Sequence, residues 1–324
     1  MIQARSGRAS IGDNERMALA FISHPDCARH RVAAHHPETA DRLAAIDDRL
    51  IASGLDMVVQ HFDAPLVERE QLARVHEADY IDDIDAAAPA EGEMICLDEG
   101  DTVMTEHSLA AARRAAGAAV LGVDLVMAGR AHAAFCCVRP PGHHAEQARA
   151  MGFCIFNNVA VGAAHALEHH GLDRVAIVDF DVHHGNGTER IFANDPRVLF
   201  CSTFQHPFYP FTGHEAETTN LVDAPLPAGT GSEAFRRAVE EHWLPALDRF
   251  EPQLLMISAG FDGHVEEEMA HFMLLDEDYA WITRRLVDVA QRHADGRIVS
   301  CLEGGYALSA LGRSAIAHVK ALID

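Results

Sequence analysis

The chain has 324 residues, of which 48% are hydrophobic, and this composition supports one α/β domain with a sizeable core. Its 49 acidic residues outnumber its 26 basic residues, and the net charge of −23 argues against nucleic-acid binding and would suit a cationic substrate or product. No apolar segment approaches the ~18–20 residues that cross a bilayer. Since the N-terminus resembles no export signal, we expect a cytoplasmic enzyme with no membrane partner.

Strand-like and helix-like segments alternate from Met17 onward, which predicts a mostly parallel sheet covered by helices on both faces. Strands are predicted at Leu19–Ser23, Met57–Gln60, Ala133–Val138, Val175–Asp179, Val198–Cys201, Leu254–Ser258 and Ile298–Leu302. Helices are predicted at Glu38–Ala52, Glu106–Ala128, Asn157–His170, Ser232–Phe250, Asp276–Ala294 and Ala307–Ile323. Ser232 is the expected N-cap of its helix, and Gly129 and Gly171 lie just past helix ends.

No repeat, linker or composition break divides the chain. We therefore expect one domain over residues 1–324, with residues 1–16 as a poorly ordered extension. The stretch Gln205–Gly231 is too long for a plain connection and is expected to help form a binding site.

Seven cysteines include no CxxC pair. Five of them lie in or beside apolar runs and are interpreted as reduced core thiols: Cys136, Cys137, Cys154, Cys201 and Cys301. A nucleophilic cysteine stays open as a lesser alternative, because no cysteine has an obvious activating partner in the sequence.

The run from Asp179 to Gly187 follows an apolar strand and carries the strongest chemical signal. Alternate residues of a strand share a face, so Asp179, Asp181 and His183 can project together. Buried carboxylates are costly without a counter-charge, which a divalent cation supplies. The run therefore predicts half of a metal site, with a solvated acidic strand end as the plainer alternative.

Three other apolar strands end in polar residues, namely the pair His143 and His144, the lone Asp262, and Tyr306. Ligands of such sheets bind at the carboxyl edge, so we expect these residues to meet the first run. With Asp181 and His183, Asp262 would leave an open position, as in catalytic zinc sites. Iron(II) or cobalt could occupy similar ligands.

The remaining residues suit proton transfer. His143 and His144 are the predicted proton-transfer groups. Asp179 and Asn186 could each orient one of the two imidazoles. Tyr306 is a neutral donor suited to polarising a carbonyl and holding a developing oxyanion.

Six signatures follow one another along the chain and together resemble those of the histone deacetylase superfamily. They are Arg139-Pro-Pro-Gly-His-His-Ala145, Gly152-Phe-Cys154, Phe156-Asn-Asn158, Asp179-Phe-Asp-Val-His-His-Gly-Asn-Gly187, Ser258-Ala-Gly-Phe-Asp262 and Glu303-Gly-Gly-Tyr306. The resemblance begins at His36 and implies a single-domain, three-layer α/β fold with a central, mostly parallel eight-stranded sheet. Asn186 resembles the class II-like branch, to which acetylpolyamine amidohydrolases belong.

The resemblance also implies roles for individual residues. Asp181, His183 and Asp262 align with the ligands of one Zn²⁺ per chain, and Tyr306 aligns with the catalytic tyrosine. His144 aligns with the general base of the family's histidine pair. In relatives, the residues at Asp179 and Ser202 contribute to an internal potassium site, so K⁺ is a further expected ion.

The expected acyl-lysine tunnel is lined by Phe153 and Tyr209, together with Gly152 and Met269. Tyr209 stands where relatives usually have phenylalanine, so its hydroxyl makes this tunnel more polar. Glu266, Glu267 and Glu268 stand near the rim, where relatives often have an Asp-Pro pair, and are interpreted as a solvated loop or as a selector of cationic substrates.

The leading hypothesis is a zinc-dependent amidohydrolase that releases acetate from acetyl-lysine or from acetylated polyamines. A binuclear manganese ureohydrolase of the arginase type and a catalytically silent acyl-lysine-binding module are the alternatives. A homo-oligomer is plausible only by resemblance. The pairs His35–His36 and His169–His170 are interpreted as surface or helix-end histidines, because neither ends an apolar strand.

Overall fold

Eight strands form the central sheet, in the order Gln60–Asp63 (β2), Ala20–Ser23 (β1), Ala133–Cys136 (β5), Ile298–Leu302 (β10), Leu254–Ala259 (β9), Val175–Asp179 (β6), Val198–Gln205 (β7) and Leu221–Leu226 (β8). Every pairing in this sheet is parallel. The computed structural model describes residues 18–33, 35–213 and 218–324, so the extension predicted at residues 1–16 lies outside the described residues. A separate antiparallel pair consists of β3 (Met94–Cys96) and β4 (Val103–Thr105).

Helices flank the sheet on both faces, as the alternating pattern predicts. The longer ones are α2 (Asp41–Ser53), α5 (Ser108–Met127), α6 (Asn158–Glu168), α10 (Asp276–His293) and α11 (Leu308–Ile323). The shorter ones are α1 (Pro25–Arg29), α3 (Arg69–Leu72), α4 (Ala78–Ala86), α7 (Asn186–Phe192), α8 (Ser232–Ala238) and α9 (Leu244–Phe250). Helices α5 and α6 pack against each other, and α11 packs against both α2 and α10. The predicted single-domain α/β fold is confirmed.

The predictions from the sequence fail mainly at the edges of the sheet. The strand expected at Met57–Gln60 lies at Gln60–Asp63, and Leu55–Met57 forms a 3-10 turn. At the other edge, Leu221–Leu226 forms a strand inside the segment that was expected to be irregular. Edge strands are partly exposed and mix polar with apolar residues, so they lack the continuous apolar run of a buried strand.

The residues predicted to end or cap helices are only partly confirmed. Gly129 and Gly171 have the left-handed φ angles of 64° and 67° that suit the chain just past a helix end. Ser232 is the first residue of α8 and not its N-cap, and its hydroxyl donates to Asp278 at 2.7 Å. A π-helical turn, Val239–Trp243, joins α8 to α9, so the predicted helix over Ser232–Phe250 is continuous but not regular.

The core agrees with the interpretation of the cysteines. All seven are free thiols, and the five that were assigned to apolar runs are buried. Among the described residues, no helix combines the length and the hydropathy that crossing a membrane requires.

Several histidines are buried and neutral, which makes the fold sensitive to acid. His318 of α11 lies between the hydroxyls of Thr283 and Ser300, at 2.6 and 2.9 Å from its ring nitrogens. Burial lowers the pKa of His318 to about 3. His30 and His76 are also buried, and burial lowers the pKa of each to about 4.

We expect the free energy of unfolding to fall as the pH drops below about 6.5, the usual pKa of histidine in an unfolded chain. Because the folded state holds His318 neutral, its contribution is complete above that pH and is lost as the pH falls toward the folded-state pKa. Between pH 6.5 and pH 5 the loss from His318 alone should be about 2 kcal/mol. Denaturant unfolding at both pH values measures it, and an equal loss in the His318→Gln variant would contradict this assignment.

Candidate active site

The carboxyl ends of two neighbouring strands bring three potential metal ligands together. Strands β6 and β9 pair so that Asp179 lies beside Ser258. The chain beyond β6 supplies Asp181 and His183, and the chain beyond β9 supplies Asp262. One side-chain ligand atom of each lies within 4.8 Å of the others, and all three residues are buried. His183 Nδ1 is 3.1 Å from Asp181 Oδ1 and 3.2 Å from Asp262 Oδ2.

This group fits a divalent cation on physical grounds. Asp262 Oδ2 lies 3.2 Å from His183 Nδ1 but is buried without a hydrogen bond, whereas Oδ1 of the same carboxylate accepts from the Val182 amide at 3.0 Å. Burial and the nearby Asp181 raise the pKa of Asp262 to about 6, so its charge is costly without a cation. A Cβ at Gly304 would lie 2.0 Å from Asp262 Oδ2, so a side chain at this position would clash with the carboxylate. Two carboxylates and one imidazole suit zinc, and also iron(II) or cobalt.

The histidine pair follows β5 and lies against this group, with each ring held by a different partner. His143 Nδ1 lies 2.9 Å from Asp179 Oδ2, and His144 Nδ1 lies 2.8 Å from Asn186 Oδ1. The other end of the Asn186 amide donates to the Glu146 carboxylate at 3.0 Å, which fixes the amide orientation. Asn186 therefore accepts from His144 Nδ1–H, and the Nε2 lone pair of that ring is left to accept a proton.

The two imidazoles have opposite electrostatic environments. Burial opposes a charge on His143, but Asp179 and Asp181 outweigh it and raise its pKa to about 10. Burial lowers the pKa of His144 far below its usual range, and the positive charges of His143 and His183 lower it further. A divalent cation at the ligand group would act on His144 in the same direction. One ring is thus a proton donor and its neighbour a neutral base.

Buried charged residues also hold the loops of the site in place, although no role was predicted for them. The Glu303 carboxylate accepts from the backbone amides of Gly142 at 2.7 Å and His143 at 3.1 Å. Burial raises the pKa of Glu303 to about 7. The Glu38 carboxylate accepts from Arg139 and Arg42, and all three side chains are buried. The sequence signal was available, since Arg139 and Glu303 stand inside the quoted signatures.

Tyr306 follows β10 and faces the same cavity. Burial raises the pKa of its phenol well above the usual range, so the hydroxyl stays protonated and can donate. The Arg42 guanidinium lies 4.9 Å from the centre of the Tyr306 ring, and Arg42 Nε donates to the Gly305 carbonyl at 2.7 Å. The phenol is therefore held from one side by a buried cation.

Glu267 holds the Tyr306 loop from the other side. Its Oε2 accepts from the backbone amides of Tyr306 at 2.8 Å and Ala307 at 3.0 Å. Glu266 pairs with Arg313 at 2.6 Å. The interpretation of the three glutamates as a solvated loop fits the exposed Glu266 and Glu268 but not Glu267, whose carboxylate binds the backbone of the Tyr306 loop.

We expect the Glu267→Ala variant to lose about 10-fold in kcat with little change in KM, because Tyr306 would be less well positioned in the transition state. Glu267→Gln keeps one oxygen acceptor and should restore part of the loss. Steady-state kinetics of both variants measure the effect, and Glu268→Ala in the same loop is the matched control. A loss of equal size in the control would contradict the positioning role.

A cavity of about 230 Å³ leads to the ligand group. Its lining includes the four residues of the predicted tunnel, Gly152, Phe153, Tyr209 and Met269, and also Phe208. The Tyr209 ring contacts the His144 ring edge-on at 5.3 Å. A Cβ at Gly152 would lie 2.4 Å from the His144 ring, so only glycine lets the backbone pass there. Phe208, which the sequence analysis did not single out, stacks on His183 at 5.4 Å.

Comparison with known proteins agrees with this geometry. The histone deacetylase domain model matches residues 36–322. The chain belongs to the histone deacetylase family. The predicted superfamily and the predicted enzyme class, a hydrolytic deacetylase, are thereby confirmed.

Individual members of the histone deacetylase family show how far the likeness extends. The chain is 38% identical to the Histone deacetylase-like amidohydrolase of Pseudomonas aeruginosa, over 88% of this chain and 75% of the relative. It is 34% identical to the human Polyamine deacetylase HDAC10, over 95% of this chain and 48% of the relative. It covers only 20% of the length of Type-2 histone deacetylase 2 of Dictyostelium discoideum, at 35% identity. The crystal structure of the HDA15 HD domain covers 95% of this chain with a TM-score of 0.88 and 33% identity, and 88% of that chain is matched.

Proposed function

We propose that this deacetylase is a zinc-dependent amidohydrolase that removes an acetyl or other short acyl group from the amine of acetyl-lysine or an acetylated polyamine. One observation carries the proposal. A neutral imidazole, a charged imidazole, a phenol and His183 of the three-ligand group that suits a metal all line one cavity. This combination contains a base, an acid and an oxyanion donor for amide hydrolysis.

Asp181, His183 and Asp262 would hold the zinc ion. When bound, the ion would supply a Lewis acid for the amide carbonyl and would favour deprotonation of the attacking water. Zinc is the expected ion because three protein ligands with an open position are typical of catalytic zinc sites.

His144 is proposed as the general base. Its Nε2 accepts a proton from water, because Nδ1–H is already held by the Asn186 carbonyl oxygen. The water oxygen adds to the acyl carbon, and the C–N bond then breaks. The departing amine takes a proton from His143, whose positive charge Asp179 stabilises. Water is consumed, and a carboxylic acid and an amine are released.

Tyr306 is proposed as the oxyanion donor. Its hydroxyl donates to the carbonyl oxygen as that oxygen gains negative charge in the transition state. Because the phenol stays protonated at all working pH values, the donor is present before the substrate enters. The proposed tunnel residues Phe153 and Tyr209 would hold the alkyl chain of the amine through apolar and ring contacts.

The proposed substrate class is supported by the net charge of the chain and by the names of its relatives. The net charge of −23 favours a cationic substrate and attracts it at long range. One relative is named a polyamine deacetylase and another a histone deacetylase, so both substrate types occur in the names of relatives. A panel of acetyl-lysine peptides, acetylputrescine, acetylcadaverine and acetylspermidine tests the proposal by release of acetate. We expect turnover of at least one, and binding of every substrate without any release would favour the silent binding module.

Three further predictions stay predictions. Asp179 and Ser202 lie side by side on neighbouring strands, and Ser202 Oγ is buried without a hydrogen-bond partner, which supports the potassium site expected there. Homo-oligomer formation is the second. The third is a cytoplasmic location without nucleic-acid binding.

A further inference from the structure

Three histidines and one aspartate form a second cluster where the C-terminal ends of α5 and α6 meet. Asp124 belongs to α5 and His165 to α6, while His169 and His170 follow directly on α6. One potential ligand atom of each of the four lies within 4.8 Å of all the others. The cluster therefore has the composition and the spacing of a metal site, and nothing in the proposed reaction uses it.

Two of the three imidazoles converge on one oxygen of Asp124, and the third stacks on one of them. His165 Nε2 and His170 Nε2 each lie 2.8 Å from the same oxygen, Asp124 Oδ1. His165 and His169 are four residues apart on the helical face, and their rings are stacked with centres 4.7 Å apart. An i, i+4 pair of histidines on one face is a common way for a helix to offer two imidazoles to a metal.

We propose that Asp124, His165, His169 and His170 form a second metal site, for a divalent transition ion such as Zn²⁺. Three imidazoles and one carboxylate can fill all four positions of a tetrahedral site, which is the arrangement of a structural and not a catalytic ion. The ligands come from both α5 and α6, so the ion would join the two helices at this end. Oxygen-seeking ions such as Mg²⁺ and Ca²⁺ are not expected, because most of the ligands are nitrogen.

The charges in the cluster favour binding of a cation, but one neighbouring side chain competes with a metal ion for His165. Burial lowers the pKa of His165, so this ring is neutral and able to bind a metal. Burial opposes a charge on Asp124, but the hydrogen bonds from His165 and His170 outweigh it and lower its pKa. The competitor is the exposed Arg74, whose guanidinium lies 2.8 Å from His165 Nδ1.

Arg74 selects the tautomer of His165 that cannot bind a metal through Nε2, the nitrogen that faces Asp124. Because the guanidinium can only donate, His165 Nδ1 accepts and the ring proton is on Nε2, pointing at Asp124. A metal on Nε2 requires that this proton moves to Nδ1, which can then no longer accept from Arg74. Metal binding therefore displaces the guanidinium, whereas a glutamine at this position could accept from Nδ1–H and support the metal-binding tautomer.

The cluster is separate from the proposed catalytic metal site. Helix α6 begins at Asn158, whose side chain donates to the Pro140 carbonyl beside the histidine pair. At a rise of about 1.5 Å per residue, His165 lies roughly 10 Å further along the helix axis, and His169 and His170 lie beyond it. Metal loading of the cluster and acetate release can therefore be measured as independent properties.

The test is a zinc titration of the full chain without a polyhistidine tag, beginning with protein that already holds one equivalent. Calorimetry follows binding, and metal analysis after gel filtration gives the number of ions retained. We expect a second, saturable equivalent, which the His169→Gln/His170→Gln variant should lose while keeping its acetate release. The Arg74→Gln variant should bind the second ion about 10-fold more tightly, which is the scale on which residues that hydrogen-bond to a metal ligand change metal affinity.

His293→Gln is the matched control. His293 Nε2 lies 2.9 Å from Asp248 Oδ1 and forms an imidazole-carboxylate pair on the surface, with exposure similar to that of His170. The control variant should keep the second equivalent. The proposal is overturned if the starting chain binds no second ion, or if the double variant binds it as tightly as the starting chain does. Equal affinity in the Arg74→Gln variant would overturn the competition by Arg74.

Discussion

Replacing Tyr306 with phenylalanine is expected to lower kcat at least ~10²-fold, the usual scale for losing one oxyanion donor. The half-buried Tyr306 phenol can donate only through its hydroxyl, and phenylalanine keeps the ring that packs beside Arg42 and Phe153. Because the hydrogen bond strengthens as charge develops on the carbonyl oxygen, kcat and kcat/KM should fall together. Steady-state release of acetate from the best substrate of the panel measures both constants.

Tyr80→Phe is the matched control for this variant. The Tyr80 hydroxyl is also buried, but it donates to the Ile155 carbonyl at 2.6 Å and does not line the cavity. Its loss should reduce the free energy of unfolding by about 1 kcal/mol and leave turnover nearly unchanged. If turnover of the Tyr306→Phe variant equals that of the starting chain, Tyr306 has no place in the mechanism.

Replacing Asp262 with asparagine is expected to abolish zinc retention and to lower turnover by well over ~10²-fold. This is more than the loss expected when a residue that only hydrogen-bonds to a metal ligand is replaced. Asparagine keeps the Oδ1 that accepts from the Val182 amide, so the backbone should hold its place. It removes the charge of the carboxylate whose Oδ2 is buried without a hydrogen bond. Metal analysis and acetate release on the same sample connect the two losses.

Asp63→Asn is the control for the loss of a carboxylate at a strand end. Asp63 ends β2 at the edge of the sheet and is exposed, far from the ligand group in strand order. Metal content and turnover should both be unchanged in it. Retention of zinc and full turnover in the Asp262→Asn variant would remove Asp262 from the ligand set.

The central strands and the residues at their ends could be predicted because burial on both faces produces continuous apolar runs. The runs before Asp179, Asp262 and Tyr306 are of this kind, and parallel pairing then brings their carboxyl ends together. The edge strand Leu221–Leu226 escaped prediction, and the one at Gln60–Asp63 was predicted too early in the chain, because each is partly exposed and carries a mixed pattern. Strands that are buried on both faces are therefore easier to predict from the sequence than partly exposed edge strands.

Several of the residues missed in the site act through backbone groups, whereas Phe208 stacks on His183. Glu267 binds the amides of Tyr306 and Ala307, and Glu303 binds those of Gly142 and His143. Such contacts join segments that are distant in the sequence, and any acceptor of suitable reach could make them. The same limit applies to His169–His170, whose partner Asp124 lies on another helix, so adjacency is the only signal for this pair along the chain.

The central claim is that one ion held by Asp181, His183 and Asp262 supports hydrolysis by His144 and Tyr306. The most direct measurement is a zinc titration of metal-free His169→Gln/His170→Gln protein, with acetate release and bound metal recorded at each step. The account predicts that activity rises in proportion to zinc and reaches its maximum at one equivalent per chain. Full activity without metal, or activity that requires two manganese ions per chain, would contradict it.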